Sequence, residues 1–165
     1  GWTACAFFRH FYIKEGLDML RSMAGYLDKD TIGALPETLS AYDGRNLAAT
    51  MQTWSSAMYI HAIDRYMFGI EPDEFLITIT PRIPSEWDKV SRRSKRIRDN
   101  YMDLSIEQDS HKYNLSIKFR KTPDFRIKII LPGRINAIKY NEKVIKDNTI
   151  TTKAKKEMLF EGTIN

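Results

Sequence analysis

Residues 101–119 read Tyr101-Met102-Asp103-Leu104-Ser105-Ile106-Glu107-Gln108-Asp109-Ser110-His111-Lys112-Tyr113-Asn114-Leu115-Ser116-Ile117-Lys118-Phe119. Met102, Leu104 and Ile106, then Tyr113, Leu115, Ile117 and Phe119, fall on every second position, which places them on one face of an extended chain. Asp109-Ser110-His111-Lys112 between the two runs is short and polar enough to turn as a hairpin. The same period continues downstream in Phe125, Ile127, Ile129 and Leu131, with Pro123-Asp124 and Pro132-Gly133 marking turns. Shorter apolar runs at 135–140 and 158–160 complete the pattern. Upstream, Phe75, Ile77 and Ile79 form the first alternation, stopped by Pro81 and Pro84. These segments predict antiparallel strands, each with one buried face, in a sheet or sandwich.

Before residue 70 the period is different. Phe7, Phe8, Phe11, Ile13, Leu17, Leu20, Ala24 and Leu27 recur at steps of three and four, predicting helix over residues 3–28, with Gly16 as a candidate break. Residues 29–46 are dense in turn formers and aperiodic, which predicts a long loop of the kind that is functional or disordered. A second helix is expected over 47–68, with Met51, Trp54, Met58, Ala62, Ile63, Tyr66 and Met67 as its inward stripe and Gly69 placed to end it. The fold class is therefore α+β, with helices over 1–70 and an antiparallel β domain over 71–165.

Composition narrows the function classes. With 42% hydrophobic and 28% charged residues the chain can bury a core, and disorder is not expected. Cys5 is the single cysteine, so no internal disulfide forms and no oxidising compartment is required. No apolar run reaches 18 residues and no signal-peptide pattern opens the chain, which together favour a cytoplasmic protein without a membrane span. The start at Gly1-Trp2, directly into an aromatic-rich helix, reads as a piece of a longer polypeptide. His10, His61 and His111 share no ligand spacing with one another or with Cys5, so no metal site is expected. The net charge of +5 is spread over both halves. Its densest part, Arg92-Arg93-Ser94-Lys95-Arg96-Ile97-Arg98, is either a phosphate-contacting patch or, the preferred reading, a strand edge blunted by charge. No nucleic-acid-binding signature accompanies it.

The stretch with chemical content is Gly33-Ala34-Leu35-Pro36-Glu37, followed by Gln52-Thr53-Trp54-Ser55 at the start of the second helix. It resembles the paired signatures of glucoamylases and, more loosely, of the amylo-1,6-glucosidase part of glycogen debranching enzymes. In those families a glycine and a glutamate lie on a loop between late helices of an (α/α)6 barrel, and a Thr-Trp-Ser or Gln-x-Trp-Ser element opens the next helix. The resemblance implies that Glu37 is the general base and that residues 1–70 are the last helices of such a barrel. Gly69-Ile70-Glu71-Pro72-Asp73 and Pro81-Arg82-Ile83-Pro84-Ser85-Glu86-Trp87 are similar to segments that follow the last barrel helix in many helical-barrel glycosidases and glycoside phosphorylases. The likeness spans roughly residues 30–90 and fades through the strands.

The resemblance further implies an inverting hydrolase of α-glucans, with an oligo- or polysaccharide as substrate and no cofactor. Such an enzyme sets an acid and a base about 6.5–9.5 Å apart to leave room for water. A base that stays ionised suits a polar loop, and Glu37 keeps company with Ser40, Tyr42, Asp43 and Arg45. The family's acid belongs to an earlier loop, so its place is in an N-terminal remainder of the barrel, on the same or another chain. Taken alone, Glu37 also fits an ordinary surface glutamate. Trp54 suits a sugar platform, although its helical stripe favours the core. Tyr42, Arg45 and Gln52 suit either substrate hydroxyls or loop bracing. Two other enzyme classes fit the segment after Gly69: a glycoside phosphorylase, which needs no carboxylate base, and an α-L-rhamnosidase-like enzyme. A non-catalytic carbohydrate-binding module is the alternative from outside enzymology.

Overall fold

The computed structural model describes residues 1–27, 35–40, 42–48 and 53–164. The chain divides into two compact units, Gly1–Met67 and Phe68–Asn165.

The first unit is helical: α1 (Trp2–Arg9), α2 (Ile13–Ala24) and α3 (Thr53–His61), the last continuing as a π-helical turn, Ala62–Met67. Ala4, Cys5 and Phe8 of α1 are buried, as are Leu17 and Leu20 of α2. The expected single helix over 3–28 is thus two, and the break lies at Phe11 rather than at Gly16. Phe11 takes the left-handed conformation, φ 62°. The Tyr12 N–H donates to the Phe7 carbonyl at 2.9 Å and the Phe11 N–H to the Phe8 carbonyl at 3.1 Å. This pair of bonds is a Schellman cap, formed here with phenylalanine where glycine is usual. Gly16 instead sits inside α2, where a Cβ would stand 3.0 Å from three atoms of the Phe8 ring. It makes room for packing and breaks nothing.

The second helix is described from Thr53; Leu47 and Ala48, where it was expected to begin, are not helical, and 49–52 lie outside the described residues. In its π-helical turn His61 and Tyr66, five positions apart, meet edge to face at 5.5 Å, a separation that the wider turn brings into register. Asp64 is buried in the same turn. Gly69 follows at φ 65° and a Cβ there would lie 1.9 Å from the Thr80 carbonyl oxygen, so the chain can leave the helix here only without a side chain.

The second unit holds two sheets. Strands β1 (Ile70–Pro72), β2 (Leu76–Ile79), β6 (Arg126–Ile130) and β9 (Thr149–Lys153) form one, in the order β1-β2-β6-β9. The other has the order β3-β4-β5-β10-β7-β8, built from β3 (Lys89–Ile97), β4 (Asn100–Gln108), β5 (Lys112–Phe119), β7 (Ile135–Tyr140), β8 (Lys143–Ile145) and β10 (Glu157–Ile164). The alternating residues behave as the period requires: Ile77, Ile79, Ile127 and Ile129 on one sheet, and Met102, Ile106, Leu115, Ile117 and Phe160 on the other, have no solvent exposure. Rows buried on both sheets of one unit are the signature of two layers sharing a core.

The β4–β5 hairpin forms where the sequence puts it. Asp109 closes it by accepting the His111 and Lys112 N–H groups at 2.7 and 2.8 Å, and these two bonds hold its carboxyl below the usual carboxylate range.

The pairing is not wholly antiparallel, because β2 and β6 run parallel, Ile77 beside Ile127. The hairpin strands between them in sequence go to the other sheet, and the long excursion lets the chain re-enter in the same direction. Phe75 lies before β2 and is 70% exposed, so it does not belong to the buried row.

The basic run lies on β3, an edge strand, as the charge-blunted reading expects.

Two backbone substitutions test these assignments. Phe11→Gly removes the cost of a left-handed non-glycine residue and should raise stability by about 1 kcal/mol. Gly69→Ala should lower it by at least about 3 kcal/mol, since strain and a backbone clash add. Urea unfolding of each against wild type measures both signs.

Candidate functional site

The carboxylate singled out by the sequence stands at the foot of a small backbone-paired turn. The Ser40 N–H donates to the Arg45 carbonyl at 2.9 Å and the Leu47 N–H to the Thr38 carbonyl at 3.0 Å, with Leu39 bridged to Asn46. Gly44 supplies the positive φ, 68°, and its Cα lies against the Tyr26 hydroxyl at the end of α2, where a Cβ would come within 2.7 Å. Near the tip the Ser40 hydroxyl oxygen accepts the Tyr42 and Asp43 N–H groups at 3.3 and 3.4 Å. The Asp43 carboxyl is held low, first by the Ser40 hydroxyl and then by the Arg45 N–H. Leu35 is buried and anchors the strand of chain leading in, so that Pro36 and Glu37 emerge from it at the surface.

Glu37 lines a cavity of about 310 Å³ within the helical unit. Trp2 comes from α1, Met23 and Tyr26 from the end of α2 and the turn after it, and Trp54, Ser55 and Met58 from one side of α3. Trp54 and Met58 are four apart and so lie one above the other on that helix. Trp54 is 50% exposed and Trp2 66% exposed, which leaves aromatic surface beside the carboxylate open to a ligand. Among the described residues lining the cavity, Glu37 is the only carboxylate. The arrangement can therefore hold a ring with an apolar face and offer one proton acceptor.

The structure thus brings together Glu37 and Trp54 of the residues read from the sequence. Tyr42 is fully exposed at the tip of the turn. Arg45 pairs with Asp43 at 3.4 Å. Neither lines the cavity. Gln52 and Gly33 lie outside the described residues. Trp2 and Tyr26 were not legible as site residues, since nothing in local sequence ties either to a loop ten or more positions away.

In the β unit, the segment Pro81–Trp87 is held by Gln108, whose side-chain amide donates to the carbonyls of Pro84 and Trp87 at 2.6 and 2.9 Å. Its amide oxygen accepts a bond from Arg134 at 2.6 Å. Gln108 thus braces that segment, and it is a buried polar residue at a position that alternation alone would have assigned to an apolar side chain. Among the described residues no group of three or more His, Cys, Asp or Glu could hold a metal ion, and no helix is long and apolar enough to cross a membrane.

No protein-family model matches this sequence, and no curated protein matches it. Among solved structures, Ara127N, a GH127 β-L-arabinofuranosidase from Geobacillus stearothermophilus T6, is similar with a TM-score of 0.41 and 9% identity, over 67% of this chain. The chain spans 18% of that enzyme's length. A likeness this slight leaves the functional reading to the residues themselves.

Proposed function

We propose that this chain supplies the base half of an inverting glycoside hydrolase active on α-glucans, with Glu37 as the general base. The observation that carries the reading is the cavity itself: Glu37 and Trp54, joined by the family resemblance in sequence, line the same recess of about 310 Å³, with Trp2 and Tyr26 completing its aromatic lining. Aromatic faces suit the apolar face of a pyranose, and the carboxylate is placed to accept a proton.

In the proposed reaction a water molecule beside the Glu37 carboxylate gives up a proton to it as its oxygen bonds to the anomeric carbon. The glycosidic bond breaks on the opposite face, and the leaving oxygen takes a proton from an acid about 6.5–9.5 Å away, giving inversion. With one carboxylate among the described residues of the cavity, the acid is assigned to earlier helices of an (α/α)6 barrel, on the same or another polypeptide. The role of Glu37 favours water over phosphate as the nucleophile, because a phosphorylase needs no such base. No step calls for a cofactor. A single buried cysteine, with no second cysteine in the sequence to form an internal disulfide, agrees with a cytoplasmic setting.

The decisive test uses the longer polypeptide that carries these residues together with the acid. There Glu37→Gln should lower kcat on α-glucan by about 10²–10⁴-fold with the far-UV circular dichroism unchanged. The first-formed sugar in the wild-type reaction should have the inverted anomeric configuration by NMR. Wild-type turnover in the variant would overturn the assignment, and glycan binding preserved alongside it would mark the chain as a binding module.

A further inference from the structure

The outer face of the six-stranded sheet carries a concave site that the glycosidase reading does not use. A depression of about 240 Å³ there is lined by Lys89, Arg93 and Lys118, by the carboxylate of Asp103, and by hydroxyls of Ser91, Ser105 and Ser116. The cross-strand register explains its shape. Ser105 pairs with Ser91 on one side and Ser116 on the other, so short side chains stand abreast over β3, β4 and β5. At strand spacings of about 4.8 Å that row is roughly 10 Å long. Longer charged side chains stand on either side of it, with Lys89 beside Glu107 in one row and Asp103 beside Lys118 in the other.

Charge pairing then decides what is missing. Lys89 is bridged to Glu107, and Lys118 lies 3.7 Å from Glu157. Asp103 is occupied by the Ser94 N–H at 2.6 Å. This bond holds a bulge, in which Arg93 and Ser94 together oppose Asp103, and Ser94 adopts φ 51°. Arg93 follows Lys89 and Ser91 at every second position and so lines the depression with them by ordinary strand alternation, and among the described residues the Arg93 guanidinium has no hydrogen-bond or ion-pair partner. The recess thus offers one guanidinium with no direct partner, able to bind a carboxylate through two parallel bonds, beside hydroxyls that both donate and accept.

The geometry points to an auxiliary binding site for an acidic oligosaccharide, one carrying a hexuronate carboxylate on Arg93 and ring hydroxyls on Ser91, Ser105 and Ser116. A nucleic acid would call for several unpaired cations along a backbone path and aromatic faces for its bases. The recess has one such cation and no aromatic lining. The site lies wholly in the β unit and stands whether or not Glu37 is a catalytic base.

The test is an amide-resolved NMR titration of the chain with trigalacturonate, and in parallel with maltotriose, inorganic phosphate and a single-stranded hexadeoxynucleotide. Trigalacturonate should shift the amides of Ser91, Arg93, Ser105 and Ser116, and Arg93→Gln should weaken it at least about tenfold without moving the thermal midpoint. Ser105→Trp, which fills the recess, should abolish it. Equal binding of maltotriose, equal shifts from phosphate alone, tighter binding of the oligonucleotide, no shift with any probe, or undiminished binding by the Arg93→Gln variant would each overturn the proposal.

Discussion

The β unit depends on one constraint: alternate residues of both sheets leave water completely. Ile77, Ile79, Ile127 and Ile129 on the smaller sheet and Met102, Ile106, Leu115, Ile117 and Phe160 on the larger are all fully buried. Each such side chain contributes about 1.5–3 kcal/mol, so a slip of one residue in any strand, which would turn its whole row outward, is strongly disfavoured. Register is therefore fixed by the core, and the features on the outer face inherit their positions from it. The serine row, the flanking charges and the bulge at Arg93 stand where they do because Leu104, Ile106, Leu115 and Ile117 face inward. Asn100 and Gln108 are the polar ends of the buried row of β4, and the cost of burying Gln108 is offset by three hydrogen bonds that pin the Pro84–Trp87 turn and Arg134.

The helical unit works on a different principle. Its described buried contacts are close, with Gly16 admitting the Phe8 ring and Ala4 and Ala62 without exposed surface. Glu37 owes its position to a buried leucine two residues before it and to a turn tied off by Ser40, Gly44 and Arg45. A polar group displayed on such a frame stays hydrated while its neighbours supply apolar surface. That combination suits recognition of a sugar, which has hydroxyl edges and an apolar face.

Where one physical signal dominated, the sequence was readable. Period-two alternation located β4, β5 and β6, and the polar tetrad 109–112 located the hairpin turn. Strands with mixed signals escaped: β9 buries only Ile150 among threonines, and β8 is a short, exposed edge. The parallel pairing of β2 with β6 has no local signature, since it follows from where the intervening strands go. Phe11 was read as a core position by spacing, yet it occupies a left-handed cap that composition would assign to glycine. Of the site, Glu37 and Trp54 could be named because a motif joins them, whereas Trp2 and Tyr26 meet them only through the packing of three helices.

The π-helical turn at Ala62–Met67 carries a consequence for how this helix tolerates length changes. A π turn accommodates one residue more than an α turn, so its presence is equivalent to a one-residue insertion already absorbed by the backbone. Losing a residue there would restore ordinary α-helical bonding and leave the upstream turns at nearly the same azimuth relative to Met67, whereas a residue lost from the α-helical part would rotate everything upstream of it by about 100°. Trp54 and Met58 would therefore keep their side of the helix after a deletion within Ala62–Met67. The aromatic wall beside Glu37 tolerates a shorter π turn but not a deletion between Met58 and that turn.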